Sequence, residues 1–337
     1  MKSKNIIFIF SSIIILMGIN SFSIMRNSET IYTVSKDGKG DFRTVQDAVD
    51  SAEDNLNSKT RIIIRKGIYR EKITVPATKG AISFEGESPS ETIIVNNDFA
   101  TKKNKEGKEI GTTGSSTVFI FSDHFSAKNI TFQNDAGKVG QAVAILITGD
   151  KAIFENCRFL GFQDTLYLKG QQDDASKTRD VRHYFKNCYV EGTTDFIFGA
   201  ATAVFEDCEI FAKESATYLT AASTPAGKEF GFVFINCKIT GDAKTGTVYL
   251  GRPWRPFAKT VFINTDISDV IKPEGWHNWN KPEAEKTSFY AEFNSKGKGA
   301  NAEKRVSWSH QLSGKEAKKY SVKNILAGND NWNYKVK

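Results

Sequence analysis

Two aspartates placed alike in two copies of one motif are the residues of this sequence best suited to paired-carboxylate chemistry. In Phe154-Glu-Asn-Cys157-Arg-Phe-Leu-Gly-Phe-Gln-Asp164 the acid falls seven residues after the cysteine. Phe185-Lys-Asn-Cys188-Tyr-Val-Glu-Gly-Thr-Thr-Asp195 repeats that spacing thirty-one residues later. Two matched carboxyls are a first sign of functional chemistry. Asp also caps turns, and the pair alone does not decide between the two roles.

The elements that must position these acids follow from the repeat. Its core returns at Phe205-Glu-Asp-Cys208, Phe234-Ile-Asn-Cys237 and Phe262-Ile-Asn-Thr265, with a weaker copy at Ala127-Lys-Asn-Ile130. Imperfect units of 20 to 31 residues are too short for helical pairs and point to a stacked solenoid of short strands. Asn129, Asn156, Asn187, Asp207, Asn236 and Asn264 are expected at a corner of each coil, because Asn and Asp tolerate the left-handed backbone. This pattern predicts an all-β parallel β-helix. Equivalent residues on neighbouring coils then lie about 4.8 Å apart, and Asp164 and Asp195 converge on one outer face.

Other residue types could complete such a site. Leu250-Gly-Arg252-Pro-Trp254 sets an Arg on a rigid frame beside an indole, suited to a two-pronged grip on a carboxylate and to stacking against a sugar ring. The alternative is a packed loop with a surface ion pair. Gln141 heads the apolar run Gln141-Ala-Val-Ala-Ile-Leu146, and a strand-end amide bonded to backbone is its bland reading. Gln163 precedes Asp164, so their side chains diverge unless the chain turns there.

Before the repeats, Ile31-Tyr-Thr-Val34, Arg61-Ile-Ile-Ile64 and Lys72-Ile-Thr-Val75 read as strands. Thr44 opens a short amphipathic helix with Val45, Ala48, Val49 and Ala52 on one face and Asp47 in a capping-box position, placed to cover the first coil. Tyr69 and Glu71 read as structural. A polar, Lys-rich loop from Asp98 to Thr113 is expected to wall a cleft. After Ile271, a long segment with Trp276, Trp279 and Trp308 and a short helix near residues 315–320 is expected to pack back along the coils.

Lys2 and Lys4, the apolar run Ile6 to Ile19 and Ser21-Phe-Ser23 describe a secretory signal over residues 1–23, too short in its apolar part for a membrane span. An uncleaved anchor is the alternative. The remaining residues, 24–337, show no linker and read as a single catalytic domain, secreted or periplasmic. The net charge of +7 suits an acidic polymer but is also ordinary for a solvated surface. No basic-aromatic pattern indicates nucleic acid, no His or Cys spacing resembles a zinc site, and no Gly-x-Ser-x-Gly elbow indicates a serine esterase. No cofactor, metal or partner chain is expected.

Taken together, Gly-x-Tyr-x-Glu at Gly67, Gln-Ala-Val-Ala at Gln141, Gly-x-Gln-Asp-Thr-Leu-Tyr from Gly161 to Tyr167, Asp-Phe-Ile-Phe-Gly at Asp195 and Leu-Gly-Arg-Pro-Trp at Leu250 occur in an order that resembles the pectin methylesterases. The resemblance runs from Tyr32 to about Ile325. It implies a right-handed β-helix that acts as a monomer on methyl-esterified homogalacturonan. It also implies Asp195 as nucleophile on the C6 methyl ester and Asp164 as general acid and then base. By the same resemblance Gln141 and Gln163 serve as oxyanion donors, Arg252 as partner of Asp195, and Tyr167, Phe198, Trp254 and Thr112 as substrate contacts. Thr193-Thr194 stands where members vary, which leaves subsite preference open. The resemblance also suggests a Cys208–Cys237 bridge, whereas a ladder of four free thiols at equivalent positions packs equally well.

Competing readings on the same fold are a polygalacturonase and a catalytically silent pectin binder. Asn264-Thr-Asp266 and Asp173-Asp174 superficially suit the polygalacturonase, in the wrong order and with no Gly-His-Gly or Arg-Ile-Lys after them. A pectate lyase would use calcium carboxylates and has no role for the two Gln. A silent binder has no need of Asp164, Asp195 and Arg252 together.

Overall fold

The computed structural model describes residues 29–170 and 179–335. Three parallel sheets of eleven, eight and seven strands run along it, and successive coils give one strand to each in turn. The coil carrying Asp164 is built from Ala152–Glu155, Arg158–Leu160 and Leu166–Leu168. The next contains Arg182–Lys186, Tyr189–Gly192 and Thr194–Gly199. Two more follow, ending in Tyr218–Ala222 and Tyr249–Gly251. This is the parallel β-helix that the repeat predicts. The signal segment, and with it the Asp173-Asp174 pair, lies outside the described residues.

Each corner residue does what its type allows. Asn129, Asn156, Asn187, Asp207, Asn236 and Asn264 all have φ between 50° and 57°, the left-handed region that Asn and Asp enter at low cost. Their amides also bond along the stack: Asn156 Nδ2 donates to Asn129 Oδ1 at 2.8 Å, and Asn264 Nδ2 to Asn236 Oδ1 at 3.2 Å. Asn264 is thus a repeat corner and not part of a glycosidase motif.

Two residues before five of these six corners stands a Phe that forms the hub of the core. Phe154, Phe185, Phe205, Phe234 and Phe262 pair in register on successive strands. Their rings stack with centroid separations of 5.0, 4.5, 4.7 and 4.5 Å, within the range where aromatic pairs attract beyond simple burial. Beside them the four cysteines are buried and free. Each thiol donates to a carbonyl of an earlier coil, as Cys208 Sγ does to Phe185 O at 3.5 Å and Cys237 Sγ to Phe205 O at 3.3 Å. The suggested Cys208–Cys237 bridge is therefore absent. Burial pushes the Cys157 thiol up to about 12 and the Cys208 and Cys237 thiols well above their ordinary value.

The first helix, Val45–Asp50, buries Val45, Ala48 and Val49 against the first strands of the stack. Thr44 Oγ1 accepts from Asp47 N at 3.1 Å, as the capping pattern predicts. Glu71 takes the free N–H groups of Val45 and Gln46 at 3.0 to 3.1 Å, which gives this acid the structural role expected of it. At the other end the chain packs back along the coils. Tyr320, Val322, Ile325 and Leu326 bury against Val204, Val233, Val261 and Ile263. Arg182 ties that segment down, bonding Asp150, Asp330 and the carbonyls of Leu326 and Ala327 at 2.6 to 3.2 Å.

Phe205→Ala opens a cavity in the ring ladder and is expected to cost about 3–5 kcal/mol, read from chemical denaturation; a loss under about 1 kcal/mol would show that the ladder is not the stabilising core. A thiol reagent should leave the folded chain untouched and titrate all four cysteines once it is unfolded.

Candidate active site

The outer face of the seven-stranded sheet carries an apolar row built from register alone. Phe119, Leu146, Tyr167, Phe198 and Ala221 sit opposite one another on five consecutive strands. Tyr167 and Phe198 stack at 4.2 Å, and Trp254 stands edge-on to Tyr167 at 6.2 Å and tilted against Phe198 at 5.8 Å. Tyr167 and Phe198 are 5 % and 4 % exposed, so they form the floor of a cleft and not its walls. That cleft, of about 440 Å³, is lined by all nine residues singled out in the sequence: Thr112, Gln141, Gln163, Asp164, Tyr167, Asp195, Phe198, Arg252 and Trp254.

The two aspartates reach the cleft by a shared local device. Leu166 pairs with Ile197, so Asp164 and Asp195, each two residues earlier, fall opposite each other on adjacent coils. Both adopt the left-handed conformation, with φ of 67° and 50°. A turn at Asp164 therefore resolves the conflict with Gln163, and both side chains can face the cleft. At Asp195 the register against the next strand slips between Thr194 and Ile197, a bulge that re-aims a side chain. A glycine stands three residues before each acid because the corner is tight. A Cβ on Gly161 would meet Thr165 Oγ1 at 2.5 Å, and one on Gly192 would meet Phe196 Cβ at 2.2 Å.

Arg252 follows the strand Tyr249–Gly251, held by its N–H to Thr220 O at 3.0 Å. Its Nε and Nη2 donate to the two Asp195 oxygens at 2.9 and 2.7 Å, the fork geometry that only Arg offers a carboxylate. Burial pushes both carboxyls up, and the ion pair separates them. Asp164 is held well above its ordinary 3.8 by burial and then by the neighbouring Asp195 charge, against weaker pulls from Arg252 and the Gln141 amide. Asp195 is also raised by burial, but the Arg252 hydrogen bonds and charge pull it back. Of the two, Asp164 is held the more strongly towards its protonated form, and Asp195 is the one favoured as the anion.

Gln141 and Gln163 bridge each other in parallel register, so both amides sit at the cleft on neighbouring coils. The strand expected to begin at Gln141 is shorter, Ile145–Ile147. Residues 141–144 instead lie along the turn at Asp164, with Ala142 N donating to Gln163 O and Ala144 N to Thr165 O. Thr112 belongs to the short helix Gly111–Gly114, so the polar loop does end as one wall of the cleft.

Two contacts went unread in the sequence. Tyr218 and Trp279 sandwich the Arg252 guanidinium at 3.8 and 3.7 Å from their ring centroids. Tyr218 had a usable signal, since Tyr218-Leu219 and Tyr249-Leu250 are in-register copies. Trp279 lies in the segment after the last repeat, where no periodicity places it.

A buried carboxyl with a raised folded value contributes stability that is fully present below its unfolded value and is lost as pH rises through the folded one. Asp164→Asn is therefore expected to raise the thermal midpoint at neutral pH, with the gap closing below pH 3.8, the ordinary value for Asp. A lower midpoint at neutral pH would show that the native chain gains stability from a charged Asp164.

Comparison with known proteins agrees with this fold. The family model described as Pectinesterase matches residues 31–329. Pectinesterase 31 from Arabidopsis thaliana is 42 % identical over 290 residues, 84 % of this chain and 88 % of the relative. Among solved structures, the pectin methylesterase from carrot superposes with a TM-score of 0.77 at 34 % identity, covering 88 % of this chain and 93 % of that one. A pectin methylesterase in complex with a hexasaccharide gives 0.78 at 29 % identity, covering 90 % and 98 %. The chain belongs to the pectinesterase family of carboxylic ester hydrolases.

Proposed function

We propose that the cleft hydrolyses the C6 methyl esters of homogalacturonan through an aspartyl acyl-enzyme. The observation that carries this reading is the two-pronged Arg252–Asp195 pair beside a carboxyl that holds its proton. An anionic Asp195 oxygen attacks the ester carbonyl carbon, and the carbonyl π electrons move onto its oxygen. Collapse of the tetrahedral species breaks the bond to the methoxy oxygen, which leaves as methanol with the Asp164 proton. The anhydride is then hydrolysed: Asp164, now a carboxylate, takes a proton from water as the water oxygen attacks the galacturonyl carbon. Asp195 departs as the anion, and the uronate product ionises.

Gln141 and Gln163 have the right character to donate to the oxyanion, because neutral amides add no charge that would compete with Arg252 for Asp195. Trp254 offers a flat apolar surface that a sugar face can stack on, Tyr167 and Phe198, stacked on each other, give an apolar floor, and Thr112 offers a polar contact in the cleft lining. A relative 29 % identical is in complex with a hexasaccharide, which supports an oligosaccharide ligand for this chain. The enzyme acts as a monomer on the methyl-esterified polymer outside the cytoplasm, carried there by the signal over residues 1–23. Among the described residues no helix is long and apolar enough to cross a membrane.

Purified protein is expected to release methanol from highly methylated pectin without shortening the polymer. Shortened chains without methanol would favour the polygalacturonase, and neither product the silent binder. Asp195→Ala should lower turnover by roughly 10⁴-fold or more with the fold intact, and normal turnover would remove Asp195 from the mechanism. Gln141→Ala should lower kcat by about 10²- to 10³-fold with KM little changed; a change in KM alone would make it a substrate contact.

A further inference from the structure

The guanidinium of Arg252 is held on both faces. Tyr218 lies against one at 3.8 Å and Trp279 against the other at 3.7 Å, while its edge makes the two bonds to Asp195. The stack continues on either side. Tyr249 stacks on Tyr218 at 5.3 Å with Lys272 beyond it, and Lys281 sits 5.0 Å from the Trp279 ring. Rings and cations thus continue on both sides of the Asp195 partner.

Trp279 reaches its place at a backbone cost. Its φ is 59° and that of Asn280 is 56°, and a bulky side chain in the left-handed region is a genuine outlier. Such strain persists only where surrounding structure enforces it. The enforcement here centres on His277. Its Nδ1 accepts from Trp279 N at 3.1 Å and lies 3.5 Å from the Tyr218 hydroxyl, and the His277 backbone N–H donates to Gly251 O at 3.1 Å. One histidine therefore links both walls of the sandwich to the strand end that carries Arg252.

From this geometry we infer that Tyr218 and Trp279 are positioning residues: they form an aromatic clamp that fixes the Arg252 plane, and through it the orientation and charge of Asp195, with His277 as the link between them. An unclamped Arg has many rotamers, and only one presents both nitrogens to the carboxylate. The clamp removes the others before substrate arrives. This inference rests on the reading of Asp195 as the nucleophile.

The test compares the pH dependence of kcat and of KM, on a methylated galacturonate oligomer, for the intact chain and for Trp279→Ala, Trp279→Phe, Tyr218→Ala and Arg252→Lys. The titratable or charged groups facing Asp195 are Arg252, Asp164 and the buried Tyr290 hydroxyl, and none of them is altered in the clamp variants. Loosening Arg252 leaves burial of Asp195 less opposed, so the acid limb of kcat in Trp279→Ala should move up by about one pH unit. Turnover should fall roughly 10- to 100-fold, and Trp279→Phe should restore most of both. Tyr218→Ala should act in the same direction.

A rise in KM alone, with the acid limb unmoved, would make Trp279 a sugar platform and overturn the clamp. Arg252→Lys separates that failure from failure of the underlying mechanism. If Arg252→Lys shifts the acid limb and the clamp variants do not, the clamp is wrong and the Asp195 reading stands. If Arg252→Lys leaves the limb in place, Asp195 is not the group whose ionisation limits the reaction, and the clamp inference falls with it.

Discussion

The cleft depends on a single ion pair placed where an ion pair is costly. Asp195 is 6 % exposed, and a carboxylate that far from water is stable only if its partner satisfies both oxygens. Arg252 does so with two bonds below 3 Å. Removing one partner from such a pair typically costs about 3–5 kcal/mol. The anion therefore exists in the cleft only because a strand two coils further on delivers a guanidinium to it. The same charge then acts on Asp164, and burial with that charge keeps the second proton in place. Burial and one guanidinium together push two chemically identical side chains apart.

A parallel solenoid is well suited to building such a pair. Stacked coils repeat their geometry, so a residue chosen at one corner recurs about 4.8 Å away on the next. The Phe ladder inside and the Asn ladder at the corner hold that spacing along the stack. The site departs from this regularity only where function requires it. Left-handed acids, a bulge after Thr194 and close-packed Gly161 and Gly192 turn two ordinary corners outward into a cleft.

Much of this was legible in the sequence because repetition encodes position. The corner Asn residues, the Cys column, the helix opened by Thr44 and the convergence of Asp164 with Asp195 all follow from spacing. Gln163 shows the limit: alternation separates it from Asp164, and only the turn at φ 67° reunites them. Trp279 shows it more sharply, since the segment after the last coil obeys no period and its place over Arg252 is set by tertiary contact. The cysteine column was correctly placed but chemically ambiguous, because in-register thiols satisfy the packing with or without a bond. Glu71 was read as structural, yet its partners, the free amides of a helix 26 residues earlier, lie beyond any local pattern.

The central claim is that Asp195 becomes covalently attached to the substrate. The most direct measurement is rapid acid quenching during turnover of a methyl-esterified galacturonate oligomer, followed by mass mapping of the peptides. An adduct equal to the oligomer less methanol, carried on the peptide that contains Asp195, is the predicted result. Full methanol release with no adduct at any quench time, or an adduct carried on Asp164, would contradict it.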